Sequence, residues 1–235
     1  MRLVFCRELQ YLPSVLLLIC GLALLAGPAA AASKAAKVTS LKGVALYKRG
    51  DAPFRNLAVG DVVLQGDGIR TQRRSALTLE FTDRTRFDLG PESEMVIGEY
   101  SYAPATQEGS ITTRVLKGAF RFISGFIARK KPKAMSVKLS VATIGIRGTH
   151  VGGEVTPTSA KVVLLEPEVQ KPTAIEVFNQ YGAVTVDKPG YGTEIPDEHS
   201  PPSPVRRMRL RSIQNLMRTL QSIQRVNIPR PRVHP

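Results

Sequence analysis

Leu77-Thr78-Leu79-Glu80-Phe81 is the stretch that decides the fold class. In an extended chain successive side chains point to opposite faces, so Leu77, Leu79 and Phe81 line one face while Thr78 and Glu80 line the other. Val137-Lys138-Leu139-Ser140-Val141 repeats the alternation, and so do Thr85-Arg86-Phe87-Asp88-Leu89, Ile175-Glu176-Val177 and Val184-Thr185-Val186. Gly43, Gly60, Gly66, Gly68, Gly90, Gly98, Gly109, Gly118 and Gly125 fall between such runs and predict turns about every eight to ten residues. From Val38 to Ile195 the pattern is therefore that of half-buried strands, and an all-β domain is expected.

Two architectures satisfy this spacing: a β-solenoid-like domain and, as the alternative, a β-sandwich. The pair Gly60-Asp61 recurs as Gly66-Asp67, as expected where a winding chain turns a corner and a short side chain bonds its own backbone. Two unrelated tight turns would give the same pattern. No helix of ordinary length is expected before residue 204.

Outward from the strands, the N-terminus reads as an export signal over residues 1–32. Arg2 and Arg7 precede the apolar run from Val15 to Ala26, and the small residues Ala29 to Ala32 follow, with cleavage expected after Ala32. The alternative, a retained anchor, fits less well, because a helix over that run covers about 18 Å against roughly 30 Å of hydrocarbon. A lipoprotein signal is set aside because Ile19, before Cys20, is not small. Cys6 and Cys20 are the only cysteines, so the exported part carries no disulfide and must hold together by burying apolar side chains.

Composition narrows the function classes. A hydrophobic fraction of 43% with 22% charged residues excludes a wholly disordered chain, a multi-span membrane protein and a collagen-like repeat. Three His and two Cys exclude a multi-metal or iron–sulfur protein. The net charge of +14 would suit nucleic acid, but export to the periplasm or cell envelope argues against that partner.

Gly60-Asp61, then Ile69-Arg70-Thr71, then Ser75 to Asp83, a Leu-x-x-x-Ser segment from Leu89 to Ser93, and above all Ala142-Thr143-Ile144-Gly145-Ile146-Arg147-Gly148-Thr149 resemble a FecR domain over roughly residues 38–155. Residues 156–195 read as further strands of the same domain. The resemblance implies an extracytoplasmic binding or signalling module with a β-solenoid-like fold, no catalytic residues and no cofactor. It also implies a free-standing exported form. FecR regulators of the iron-citrate type carry a sigma-regulating segment ahead of their anchor, and the few residues before this apolar run leave no room for one.

Taken without the family, Gly145 and Gly148 bracket Ile146-Arg147 and permit a bend or a close approach, while Arg147 offers a planar fork for carboxylates or carbonyls. The block is then either an internal clamp, the favoured reading, or a recognition corner. His150, His199 and His234 are too scattered for a zinc site. Asp61, Asp67, Asp83, Asp88, Glu92 and Glu94 lack calcium-loop spacing. No nucleophile elbow, phosphate loop or H-E-x-x-H pattern occurs, so no enzyme is expected, although paired carboxylates of a glycosidase leave no trace in one dimension.

Two basic clusters remain. Arg129-Lys130-Lys131-Pro132-Lys133 reads as a solvated loop or a contact for anionic polymers. After a Pro-rich linker at 196–204, residues 205–226 lack Gly and Pro and predict a basic amphipathic helix, ahead of a disordered tail at 227–235. Ile213, Leu216, Leu220 and Ile223 form its stripe, with Arg206, Arg207, Arg209 and Arg211 among the cations. This helix either docks on its own β-domain or binds outward, to an envelope protein or to an anionic polymer or membrane surface. The expected function is a non-enzymatic protein-binding module in envelope signalling or assembly.

Overall fold

The computed structural model describes residues 33–147, 150–166, 173–211, 213–215 and 217–218. The chain divides into two units at Ala32, and every described residue lies in the second. The described part is mostly β. Its strands are β1 (Lys34–Lys42), β2 (Ala45–Lys48), β3 (Arg55–Asn56), β4 (Val62–Leu64), β5 (Gly68–Thr71), β6 (Ala76–Phe81), β7 (Arg86–Leu89), β8 (Glu94–Ala103) and β9 (Glu108–Ile123). A short helix, α1 (Phe126–Lys130), and a 3-10 turn at Pro132–Ala134 lead to β10 (Met135–Leu139), β11 (Thr143–Arg147), β12 (His150–Val155) and β13 (Ala160–Leu164). The chain ends in β14 (Ala174–Asn179), β15 (Gly182–Val186), β16 (Tyr191–Ile195) and β17 (Arg206–Arg207).

Hydrogen bonding arranges these strands in two ladders. The first runs β4–β1–β6–β7–β9–β12–β13–β16–β17. The second runs β3–β2–β5–β8–β9–β10–β11–β14–β15. All these pairings are antiparallel except β9–β10. Strand β9 belongs to both ladders: Glu108–Lys117 pairs with β8 in the second, and Gly118–Ile123 pairs with β7 and β12 in the first. The change of ladder falls at Gly118, whose φ of +97° lies where only glycine is unstrained. Gly98, Gly109 and Gly118 were expected at turns, but they lie inside β8 and β9. At Gly98 the register shifts, and a Cβ would sit 2.6 Å from the Thr112 carbonyl oxygen, so this glycine serves close strand approach rather than reversal.

One apolar core draws on both ladders. Leu77, Leu79 and Phe81 are buried as their alternation requires, together with Phe87, Leu89, Phe120 and Phe122 from the first ladder and Ile69, Met95, Val137, Ile144 and Val177 from the second. Phe87 stacks against Phe120 and Phe122 at 5.9 and 5.7 Å, within the range that favours offset rings. Each such side chain contributes about 1.5–3 kcal/mol on burial.

The buried carboxylate of Asp83 ties α1 to this core. It accepts from the Thr85 amide (3.0 Å), the Thr85 hydroxyl (2.8 Å) and the Ile127 amide (3.3 Å), while its own carbonyl accepts from the Phe126 amide (2.8 Å). Ile127 and Ala128 are thereby held in the core. Arg129 to Lys133 are exposed as expected, but as the last turn of α1 and the 3-10 turn rather than an irregular loop, and Lys130 Nζ bonds the Thr106 carbonyl at 2.5 Å.

The two Gly-Asp pairs are one turn used twice. In each, the Asp carboxylate accepts the amide three residues earlier, Ala58 to Asp61 and Leu64 to Asp67, both at 2.8 Å. In each, the glycine has positive φ and its amide bonds a strand carbonyl, Gly60 to Val38 and Gly66 to Ile97. The fully buried Asp67 also receives Arg49 in two bonds of 2.9 Å, and that bond raises the Arg49 pKa.

The C-terminal part departs from expectation. The Pro-rich stretch 196–204 is stitched to β16, with the Ser203 amide donating to the Glu194 carbonyl (2.9 Å) and Thr193 Oγ1 to the Ser203 carbonyl (2.7 Å). It is no free spacer. Arg206 and Arg207, expected in a helix, form β17 opposite Gly192 and Tyr191, with Arg206 on Glu194 at 2.5 Å. An open strand edge captured residues whose lack of Gly and Pro read as helical. Helical residues begin only at 211.

Candidate functional site

The block singled out in the sequence enters the structure as β11. Ile144 and Ile146 point into the core, and Gly145 lies outward between Ser136 of β10 and Glu176 of β14. A Cβ at Gly145 would lie 3.8 Å from the Phe178 ring, so the missing side chain leaves a floor beside that aromatic. Gly148, Thr149 and the Arg147 side chain lie outside the described residues, and with them the choice between clamp and recognition corner. His150 is 7% exposed, with Nδ1 2.8 Å from the Glu166 carbonyl. Gly60 and Asp61 are anchors for β1: Val38 donates to the Asp61 carbonyl at 2.9 Å.

A cleft of about 650 Å³ opens where the β10–β11 turn meets the β14–β15 turn, lined by Lys138, Val141, Thr143, Phe178, Tyr181 and Glu198 among others. Phe178 and Tyr181 are 39% and 43% exposed and stand on the same cleft. Asn179 joins the two turns, donating from Nδ2 to the carbonyls of Ser200 (2.8 Å) and Val141 (3.3 Å) and accepting the Tyr181 amide on Oδ1 (3.0 Å). The Tyr181 hydroxyl meets His199 Nδ1 at 3.0 Å. Asp197 holds the adjoining turn by accepting from the Ser200 hydroxyl (2.7 Å) and the His199 amide (2.8 Å), and these bonds, the first most, keep its carboxyl below the usual range. Beside the cleft, β15 pairs on one side with β14, and among the described residues no strand pairs with its other edge. Two rings, an ammonium, a carboxylate and an open edge can together receive an extended peptide.

The tail segment turns its apolar side to its own domain. Ile213 (2% exposed) and Leu210 (7%) pack with Val163 and Ala119, and Met208 and Met217 flank them. Gly152 makes room: its Cβ would lie 3.1 Å from Ile213 Cγ2. Ile213 is therefore not available to an outside partner. Arg207, Arg209, Arg211 and Arg218 remain exposed, whereas Leu216, Leu220 and Ile223 lie outside the described residues. Ile213→Ala is expected to cost about 2 kcal/mol, measured by urea unfolding; no change in midpoint would mean that the segment is undocked in solution.

Sequence reasoning missed one cluster. Asp88 and Arg121 pair across β7 and β9, with Arg121 Nε 2.6 Å from Asp88 Oδ2, and Thr78 Oγ1 donates to Asp88 Oδ1 at 2.7 Å. All three are buried. The available signal was a lone charge between buried aromatic or aliphatic neighbours in both Phe87-Asp88-Leu89 and Phe120-Arg121-Phe122.

Residues 67–170 match the family model described as FecR protein. Residues 67–170 are a FecR domain. The match begins at Asp67, inside the second Gly-Asp turn, and takes in the Asp83, Asp88 and Arg121 clusters, all of β10 and β11, and one wall of the cleft. Two crystal structures of a protein from Parabacteroides distasonis ATCC 8503, described as a candidate anti-sigma factor and determined at 1.65 and 2.50 Å, are similar to this chain. Each is 11% identical, with a TM-score of 0.48 over 64% of this chain. This chain spans 64% and 63% of the length of those two. No curated protein matches it.

Proposed function

We propose that this FecR-domain chain is an exported, non-enzymatic module that acts by binding a protein at the cell envelope, in signalling or assembly. The observation that carries the reading is the cleft at the β10–β11 and β14–β15 turns, where Phe178 and Tyr181 stand exposed next to the open edge of β15. Rings of this kind supply interface anchors at low entropic cost. The FecR domain supports the signalling class. Export is supported by Arg2, Arg7 and the apolar run that follows, and among the described residues no helix is long and apolar enough to cross a membrane.

A β-solenoid-like form belongs to the same proposal, with the β-sandwich as its alternative. It is supported by the order in which the chain visits the ladders: β10–β11 in the second, β12–β13 in the first, β14–β15 in the second, β16–β17 in the first. Such regular alternation is what a winding chain gives.

The test is photo-crosslinking in cells from probes placed at Tyr181 and at Phe178, with one at Thr158 in the β12–β13 turn as control, followed by mass spectrometry. The expected result is one envelope protein captured from both aromatic positions and not from the control. Equal capture from all three would overturn the assignment of the cleft. The second reading, contact with an anionic polymer or membrane through the tail, is favoured by the exposed Arg207, Arg209, Arg211 and Arg218. It is opposed, for membrane insertion, by the burial of Ile213.

A further inference from the structure

The outward face of the second ladder carries a line of cations that its own fold does not neutralise. Register places Lys48 beside Gly68, Gly68 beside Val96, Val96 beside Arg114, Arg114 beside Lys138, Lys138 beside Thr143 and Thr143 beside Phe178. At roughly 4.8 Å per strand this row crosses about 29 Å of sheet. Arg114 and Lys138 are exposed direct neighbours across the parallel pair β9–β10. Among the described residues neither makes an ion pair or side-chain hydrogen bond, and the row contains no acid. Acids stand outside the row: Glu94 is held by Arg70 at 2.9 Å, Glu176 stands opposite Gly145, and Glu198 lines the cleft at the Phe178 end. Like charges set directly opposite each other weaken a sheet, so this arrangement costs the fold stability and returns nothing within it.

We propose that this face binds a linear polyanion of the carboxylated-polysaccharide class. The row shares Lys138, Thr143 and Phe178 with the wall of the protein-binding cleft and extends from there across the sheet to Lys48; its ligand is distinct from the protein proposed for the cleft, and the tail arginines are not part of it. Charge complementarity fixes the sign of the ligand, and the single-file arrangement of Lys48, Arg114 and Lys138 fits a linear one. Hydroxyls fix the chemistry further: Thr112 and Ser136, 3.3 Å apart on the next row, and Thr143 in the row itself stand where a sugar's own hydroxyls need partners. The half-exposed Phe178 ring ends the row with a face on which a sugar ring stacks. A lipid surface fits less well, because the apolar groups here, Val96 and Phe178, are in line with the cations and form no patch to enter a bilayer.

The test is calorimetric or fluorescence titration of the full exported chain with an oligogalacturonate at low salt. Its arms are the methyl-esterified oligomer, phosphatidylglycerol vesicles, the double variant Arg114→Gln/Lys138→Gln and the tail variant Arg209→Gln/Arg211→Gln. We expect binding of the free acid that weakens with salt, is absent for the ester, is weakened about tenfold or more in the sheet variant and is unchanged in the tail variant. The sheet variant is also expected to melt no lower than the parent, since two opposed charges are removed from exposed positions. No binding of the free acid, equal binding by the sheet variant, loss in the tail variant in its place, or binding to vesicles alone would each overturn the proposal.

Discussion

Arg121→Ala is expected to lower the stability of the domain by about 3–5 kcal/mol, the usual cost of removing one member of a buried pair. Asp88 is 1% exposed and the Arg121 side chain 10%, so solvent cannot take over when the guanidinium goes. Asp88 would keep only the Thr78 hydroxyl, at 2.7 Å, and an ionised carboxylate in that setting must either protonate or strain its surroundings. The replacement Asp88→Leu/Arg121→Met removes both charges and is expected to recover most of the loss, because the cost lies in the orphaned partner rather than in the absence of the bond. Urea unfolding of the three proteins checks this. A loss below about 1 kcal/mol for Arg121→Ala would mean that water reaches Asp88.

Gly118→Ala is the second large effect, at about 3–4 kcal/mol. Part is backbone strain, since φ is +97°. The larger part is steric: a Cβ would lie 2.5 Å from Ser93 Cα, and a backbone atom has no rotamer to escape into. Gly60 separates the two terms. Its φ is +100°, yet nothing lies within 4 Å of a built Cβ, so Gly60→Ala carries strain alone, about 1–2 kcal/mol. Thermal unfolding of both variants gives the difference. If they lose equal stability, the approach of β9 to Ser93 is looser than the structure has it.

The inward half of the fold was legible in the sequence, because burial writes itself as alternation. Leu77, Leu79 and Phe81 lie in the core, as do Val137 and Leu139, and Ile175 and Val177. What alternation conceals is the outward half. Thr78 and Asp88 occupy polar positions of their strands, yet they are buried with Arg121 on the far face of the first ladder, and a one-dimensional pattern does not say which solvent-side face another segment will cover. In a sequence glycine reads as punctuation, but at Gly118 it is a bend within a strand, since the same freedom in φ serves both uses. The tail failed for a different reason. Local helix propensity at Arg206 and Arg207 is worth a few tenths of a kcal/mol per residue, less than the pairing that the edge of β16 offers. Of the candidate site, the β10–β11 wall lies in the family block, whereas Phe178 and Tyr181 lie downstream of it, and their place beside that wall follows only from the pairing of β14 with β11.

Strand β9 also bears on how this domain comes apart. Its two halves are bonded to β8 and β10 in one ladder and to β7 and β12 in the other, without a loop between them. Neither ladder can release its middle strand and leave the other intact, so the domain has no internal seam along which half of it could melt first. Heat or denaturant meets a single cooperative unit, whose unfolding exposes the cores of both ladders together.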